Sequence, residues 1–329
     1  MCSFCQESTY REGMNPPDLR PSNDTNDSHD SHDSHDCNDG DAADAADAGS
    51  DTAVREWTRE DAREWIAVPT ASDDKYSRGV LGMVTGSTQY PGAAVLGAEA
   101  AMRAGVGMVR YLGDEHAADL VLRRRPEVVT AAGRVQAWLL GSGQDAATRG
   151  SAAAARLADA LGQPVPIVLD AGALDLVAVA SGPVIITPHF RELAGVLSAH
   201  GTDCSAELIA ADPPTWARRA ARQLAVTVLL KGATTYVATP GGELLAVSGA
   251  PSWLATAGSG DVLGGILGAL VATHTGQLGG DPHRALVRLG ATAALVHALA
   301  GARASAGGPI AALDIADAVP ATIAALLAG

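Results

Sequence analysis

The stretch Ala255-Thr256-Ala257-Gly258-Ser259-Gly260-Asp261-Val262-Leu263-Gly264-Gly265 carries a loop of small residues straight into an apolar helix, with one acid at the junction. Glycines let a backbone approach an anion closely, and successive N–H groups at a helix N-terminus form a positive nest for phosphate oxygens. Gly258, Ser259 and Gly260 are therefore the expected anion hole. A carboxylate beside such a nest repels phosphate unless it has a task. For Asp261 that task would be accepting the proton of an attacking hydroxyl as a phosphoryl group moves. The alternative is simpler: Ser259 or Asp261 caps the first turn and nothing more.

A second candidate is Lys231, which ends the apolar run Val228-Leu229-Leu230 and is followed by Gly232-Ala233-Thr234-Thr235. The chain holds 21 arginines and only two lysines, Lys75 and Lys231, so a lysine here answers a need other than charge alone. A strand-end lysine with adjacent amides and a hydroxyl suits nucleotide binding at the carboxyl edge of a parallel sheet. A lysine snorkelling from a strand end is the competing reading.

A third stretch, Ile185-Ile186-Thr187-Pro188-His189-Phe190-Arg191-Glu192, runs a strand into a helix with a histidine and an acid at its start. His189 can bind a polar substrate group or relay a proton. Glu192 can position magnesium-bound water or cap backbone amides. Gly86-Ser-Thr-Gln-Tyr-Pro-Gly-Ala-Ala94, Gly141-Ser142-Gly143 and Asp170-Ala171-Gly172 are three further turns at strand ends, each small enough to admit a bulky ligand.

Short apolar runs alternating with Ala-rich stretches from Val80 onward predict an α/β protein with a mainly parallel sheet. Strands are expected at 80–85, 107–111, 136–140, 167–170, 184–187 and 226–231. A hairpin of 235–238 and 243–247 should turn at Gly241-Gly242. Helices are expected at 93–104, 260–273, 282–301 and 315–327, with no internal repeat. One folded domain, residues 53–329, is the simplest division.

Residues 1–52 read differently: 13 acids stand against two arginines, with few apolar side chains, in a chain whose net charge is −14. Such a composition predicts a disordered acidic tail. Its Cys2-Ser-Phe-Cys5 and its His-Asp repeats before Cys37 have metal-ligand spacing, but no second ligand pair is held in place. A solubilising extension is the preferred reading. Three of the four cysteines lie there, so the folded part needs no disulfide. With no basic run, nucleic acid and anionic membrane are not the expected partners. The cytoplasm is the expected compartment.

In their order, these pieces resemble the ADP/ATP-dependent NAD(P)H-hydrate dehydratase family of the ribokinase-like superfamily. The motifs are Gly-Ser-Thr-Gln-Tyr-Pro-Gly-Ala-Ala at 86–94, Thr-Pro-His-Phe-Arg-Glu at 187–192, Leu-Lys-Gly-Ala at 230–233 and Ala-Thr-Ala-Gly-Ser-Gly-Asp-Val-Leu at 255–263. The resemblance implies a three-layer αβα sandwich. It implies that Ala94, Gly143, His189 and Asp261 line the hydrated NADH or NADPH, and that Lys231, Gly232, Ala233, Thr234, Thr235 and Gly260 contact ADP or ATP with Mg2+. It further implies a homo-oligomer, tetrameric in the family, working with a separate epimerase for the other hydrate epimer. Small-molecule kinases of the superfamily, such as hydroxymethylpyrimidine or hydroxyethylthiazole kinases, often carry Asn where His189 stands. A non-catalytic nucleotide sensor is the reading from another class, and Asp261 speaks against it. The family's Gly-Pro-Gly-Leu-Gly turn reads Gly141-Ser-Gly-Gln-Asp145 here, and its Asp-Ala-Asp-Ala-Leu-Asn reads Asp170-Ala-Gly-Ala-Leu-Asp175.

Overall fold

The computed structural model describes residues 53–329. The cysteine and histidine motifs of the first 52 residues lie outside them. The chain runs β1 (Arg55–Glu56), α1 (Arg59–Arg63), β2 (Val80–Val84), α2 (Pro91–Arg103), β3 (Met108–Tyr111), α3 (Glu115–Arg124), β4 (Ala137–Leu140), α4 (Ser151–Leu161) and β5 (Ile167–Leu169). After a 3-10 run at Ala171–Val179 come β6 (Val184–Ile186), α5 (Phe190–Ala199), α6 (Ala206–Ala211), α7 (Pro213–Leu224), β7 (Thr227–Leu230), β8 (Thr235–Ala238) and β9 (Leu244–Val247). Helices α8 (Ser259–Thr273), α9 (Pro282–Ser305) and α10 (Ala312–Ala328) close the chain.

The strands form one sheet in the order β1-β9-β8-β7-β6-β5-β4-β2-β3. From β3 to β7 every pairing is parallel, whereas β8 runs antiparallel to both its neighbours. Successive strand side chains point to opposite faces. Leu81, Met83, Ala137, Leu139, Val168, Ile185 and Leu229 join one apolar cluster with α2, α8 and α9. Val80, Val84, Trp138, Leu140, Ile167, Ile186 and Val228 join the other with α4, α5 and α7. Both faces of the parallel strands are covered, which explains why their sequences read as unbroken apolar runs.

The expected mainly parallel three-layer αβα arrangement is therefore present, and the expected strands and helices lie within a few residues of the observed ones. Three elements escaped the sequence reading, the short helix α1 among them. β1 is only two residues long, both of them charged, and it is held to β9 by Trp57, whose N–H donates to the Ala246 carbonyl at 2.8 Å. The 3-10 run at Ala171–Val179 packs Leu174 and Val177 under the sheet, in a stretch where the sequence marks only the Asp170-Ala171-Gly172 turn. By length and composition α9 could cross a membrane, but 83% of its most apolar window is buried inside the fold, so it reads as a core helix.

Parallel pairing gathers the loops after β2, β4, β5, β6 and β7 on one edge of the sheet, and ligands of such folds bind there. The N-terminus of α8 reaches that edge because α8 and α2 lie almost backbone to backbone: a side chain at Gly265 would collide with the Gly97 carbonyl.

Candidate active site

Lys231 is the centre of the edge. The pairing of β6 with β7 continues past both strands, with the Lys231 N–H donating to the Pro188 carbonyl at 2.9 Å, so that Lys231 and His189 stand side by side. The Lys231 ammonium lies 3.0 Å from Asp170 Oδ1 and 3.6 Å from Glu192 Oε2. Burial pulls its pKa down, but the two carboxylates outweigh burial and raise it, so it is charged.

Asp170 follows β5 and is 3% exposed. Thr187 Oγ1 donates to its Oδ1 at 2.7 Å and Ser142 Oγ to its Oδ2 at 2.9 Å. Burial alone would push its pKa up; the Lys231 charge and these hydrogen bonds win and lower it. A buried carboxylate is tolerated only with such partners. The turns at 141–143 and 170–172 are thus tied to Lys231 through one side chain that the sequence reading noted only as part of a turn. A strand-end acid after three apolar residues was the available signal, because a charge at that position is costly unless paired.

Asp261 lies in the first turn of α8, after Gly258 in the left-handed conformation at φ +85°. Gly258 is not replaceable there, since a side chain would both strain the backbone and collide with Leu96. No hydrogen bond from a described residue reaches the Asp261 carboxylate. Burial raises its pKa, the Asp170 charge raises it further, and Lys231 offsets part of this, leaving it at about 7. A carboxylate tuned to neutral pH beside a helix N-terminus is the profile of a general base. It is not the cap of α8, whose first turn has no side-chain cap at all.

His189 and Glu192 form a capping box at the start of α5. The Glu192 N–H donates to His189 Nδ1 at 3.2 Å, and the His189 N–H donates to Glu192 Oε2 at 2.7 Å. With Nδ1 accepting, the neutral ring carries its proton on Nε2. His189 is therefore a hydrogen-bond donor toward the edge, and its Nδ1 is not free to relay a proton.

A cavity of about 750 Å³ opens beside these groups, lined by His189, Lys231, Gly232, Ala233, Thr235, Ser259 and Gly260 from the expected set. Thr234, Gly258 and Asp261 do not line it, though each is next in the chain to a residue that does. His297 of α9, which the sequence gave no reason to single out, also lines it. Its Nε2 lies 3.1 Å from Ser259 Oγ, and burial first, with the Lys231 charge, lowers its pKa to about 4, so that it is neutral. Ala94 and Gly143 lie elsewhere, at the junction of the 86–90 loop with the 141–143 turn. Ala94 Cβ would be 2.9 Å from a Cβ on Gly86, and Gly143, at φ +67°, is pressed against Ala93. Ala94 is nevertheless one helical turn before Gly97, which borders the Asp261 carbonyl.

The two departures from the family pattern meet each other. Gly172 abuts the Gln144 carbonyl so closely that a side chain could not be placed there. Arg149, four residues past the first of them, holds the second, bonding the Gly172 carbonyl and pairing with Asp175 at 2.7 Å.

Among the described residues no group of three or more His, Cys, Asp or Glu is arranged to hold a metal. Magnesium needs less than that when phosphates supply oxygen ligands, usually one or two carboxylates and water. Glu192 Oε1, which accepts no hydrogen bond from a described residue, could be one of these.

A family model for NAD(P)H-hydrate dehydratase matches residues 81–320. The bifunctional NAD(P)H-hydrate repair enzyme Nnr of Mycobacterium tuberculosis is 44% identical over 64% of this chain and 44% of its own length. The ADP-dependent (S)-NAD(P)H-hydrate dehydratase of Xanthomonas campestris is 33% identical over 62% of this chain and 76% of its own. The chain thus spans less than half of the mycobacterial relative. In fold it is similar to the ADP/ATP-dependent NAD(P)H-hydrate dehydratase of Bacillus subtilis, co-crystallised with ATP and Mg2+, with a TM-score of 0.71 and 24% identity over 83% of this chain and 99% of that one. With its ribokinase-like architecture and a match across most of its length, the chain belongs to the NAD(P)H-hydrate dehydratase family.

Proposed function

We propose that this protein uses ADP or ATP to dehydrate the S-epimer of hydrated NADH or NADPH, returning the intact dihydronicotinamide. The observation that carries this reading is the Asp261 carboxylate, poised near neutral pH at the glycine-led start of α8 and beside Lys231. Hydroxide leaves the hydrated ring poorly, whereas a phosphate ester leaves well. Asp261 takes the proton of the ring hydroxyl while the hydroxyl oxygen attacks the terminal phosphorus, and the shortened nucleotide departs with the bridging oxygen. Lys231 and the first-turn N–H groups of α8 hold the transferring group and spread its charge. The carbon–oxygen bond then breaks with its electron pair leaving on phosphate, pushed by the ring nitrogen. Loss of a proton from the neighbouring carbon restores the double bond. His189 donates Nε2–H to a polar group of the substrate and orients the ring. Magnesium brought by the nucleotide would be held by Glu192, through bound water, and would supply charge neutralisation on the phosphates.

The cavity lined by Lys231, Gly232, Ala233, Thr235 and Gly260 is the place for the adenine nucleotide, with Gly258 to Gly260 as the anion hole; Ala94, Gly143 and His189 face the hydrate. The word bifunctional in the mycobacterial relative's name accords with a second repair activity, which this reading assigns to an epimerase separate from residues 53–329. A homo-oligomer in the cytoplasm completes it.

The test is to supply hydrated NADH or NADPH with ADP and, separately, ATP, following both the dihydronicotinamide absorbance and inorganic phosphate. Recovery of absorbance with stoichiometric phosphate is the expected result. A stable phosphate ester without recovered absorbance would identify a small-molecule kinase instead.

A further inference from the structure

Phosphoryl transfer at Asp261 makes no direct use of His297, yet this ring stands in the wall of the nucleotide cavity. It is 8% exposed, on a helix whose neighbouring Ala293, Ala294, Leu295, Val296 and Ala298 are all apolar and buried. A polar side chain in such a place costs stability unless it is bonded to something. Ala294, His297 and Ala298 line the cavity together, with the spacing of one helix face. A side chain at Gly301, the next position of that face, would collide with Leu254 of the same wall. Alanine and glycine leave room for a ligand, and the imidazole is the polar group that this stripe presents to it.

The bonding of its ring separates His297 from other helical histidines of the chain. His200 and His274 each donate Nδ1–H to the carbonyl four residues earlier, at 2.8 Å. Such a bond ties the ring to its own helix and leaves the proton on Nδ1. His297 makes no bond of that kind to a described residue, and its Nε2 crosses to α8, 3.1 Å from Ser259 Oγ. Burial and then the Lys231 charge keep the ring neutral, while the Ser259 backbone favours its protonation, as a carbonyl does when it accepts from a ring N–H. The single proton therefore sits on Nε2. Ser259 begins α8 and lines the cavity with Gly260 and Lys231, whose ammonium is 3.8 Å from the place of a Cβ on Gly260. A serine hydroxyl that accepts from Nε2–H keeps its own proton for a ligand. One that had given its proton to the ring would show only lone pairs to a phosphate.

We propose that His297 is a positioning residue of the anion hole: by donating Nε2–H to Ser259 Oγ it turns the Ser259 hydroxyl proton toward the phosphates of bound ADP or ATP. The proposal rests on the nucleotide half of the dehydratase reading.

Calorimetric titration of ADP and of ATP into Ser259→Ala, His297→Leu and the double variant tests it. Each single change should raise Kd about fivefold, the size of one hydrogen bond. The double change should raise it no further, because both remove the same bond. His297→Gln, whose amide N–H reaches the place of Nε2, should keep most of the affinity. In steady state the nucleotide KM should follow Kd while the hydrate KM stays within about twofold. An unchanged Kd in His297→Leu overturns the proposal. So does a loss that Gln does not restore and that tracks a fall in Tm, the mark of a ring that only fills space. Additive losses in the double variant overturn it as well, since His297 would then touch the nucleotide itself. If the wild-type protein binds nucleotide but dehydrates neither hydrate, the dehydratase reading fails and the same comparison of Kd values still decides the role of His297. A wild-type protein that binds neither ADP nor ATP removes both.

Discussion

The two cavities on one sheet edge are finished to different degrees. Around Lys231 the charges other than Asp261 are matched: two carboxylates flank the ammonium, Ser142 and Thr187 hold Asp170, and His297 holds Ser259. In the other, of about 340 Å³ beyond β4 and β2, Arg156 shares the wall with Asp114 and Asp145 but pairs with no described residue, and the start of α4 has no side-chain cap. Groups that stabilise charge developing in a transition state must be fixed before the reaction, or the rate absorbs the cost of arranging them. Groups that only grip a distant part of a substrate need no such arrangement, because the ligand itself supplies the missing partner. The difference predicts that changes on the first side strike kcat or nucleotide affinity, and changes on the second side, which borders the expected hydrate contacts Ala94 and Gly143 through Gly86, strike the hydrate KM.

The largest effect is expected from Asp261→Asn, which keeps shape and removes proton acceptance. Single-turnover dehydration should fall by about 10²–10⁴. Nucleotide affinity, titrated on the same preparation, should hold or rise as the repulsion between carboxylate and phosphate disappears. Turnover within a few-fold of wild type would make Asp261 a bystander. The same variant has a signature in stability. Asp261 in the folded state titrates at about 7, above its ordinary value of 3.8. The folded protein therefore holds a proton that the unfolded chain has lost, and wild-type stability declines as pH rises through the interval between the two values. Asn cannot ionise. Its Tm should match wild type near pH 4 and exceed it at pH 8, by about 2–4 °C for each kcal/mol recovered. An advantage that shrinks with rising pH would contradict the burial argument.

Next comes Lys231→Ala. Losing the ammonium leaves Asp170 buried without its ion-pair partner, so a binding effect has to be separated from a folding effect. Calorimetry should show ADP or ATP affinity reduced about 10–100-fold, the scale of a lost charge-assisted contact, with the hydrate KM nearly constant. Lys231→Ala combined with Asp170→Asn removes the stranded charge. If the double variant recovers stability but not nucleotide affinity, Lys231 binds the nucleotide directly. Recovery of affinity would show instead that its role is to neutralise Asp170.

Gly172 tests the other side. Gly172→Ala sets a methyl group against the Gln144 carbonyl. Overpacking of this kind costs about 1–3 kcal/mol. The shift should displace the 141–145 turn and raise the hydrate KM several-fold, sparing nucleotide affinity. This coupling shows where the sequence stopped being informative. Strands such as Val80–Val84 and Thr227–Leu230 were legible because burial on both faces leaves an unbroken apolar signature. Asp261 and Lys231 were legible because glycine-rich strand and helix ends carry their own chemistry. Asp170 was not, since its meaning depends on Ser142, Thr187 and Lys231 arriving from three other strand ends, and the two unusual turns could not be known to touch. His297 looked like one more residue of an Ala-rich helix until Ser259 was found against it.

The smallest effect is expected from removing residues 1–52, whose composition offers almost nothing to bury. Both cavities draw their walls from later residues, so turnover, both KM values and Tm should stay near those of the full chain. A loss of most activity, or a Tm lower by many degrees, would show that the segment belongs to the enzyme. Moving the cut past Trp57 sharpens the boundary. The Trp57 indole is buried and donates to Thr292 Oγ1 at 3.1 Å, and the segment extends the sheet beside β9. Loss of a buried tryptophan costs about 3–5 kcal/mol. Val247, the last residue of β9, lines the nucleotide cavity and no part of the other. The longer deletion should therefore lower Tm and raise the KM for ADP or ATP while leaving the hydrate KM alone. If both KM values rose together, the two cavities would respond as one unit, and their separation along the sheet edge would have no functional meaning.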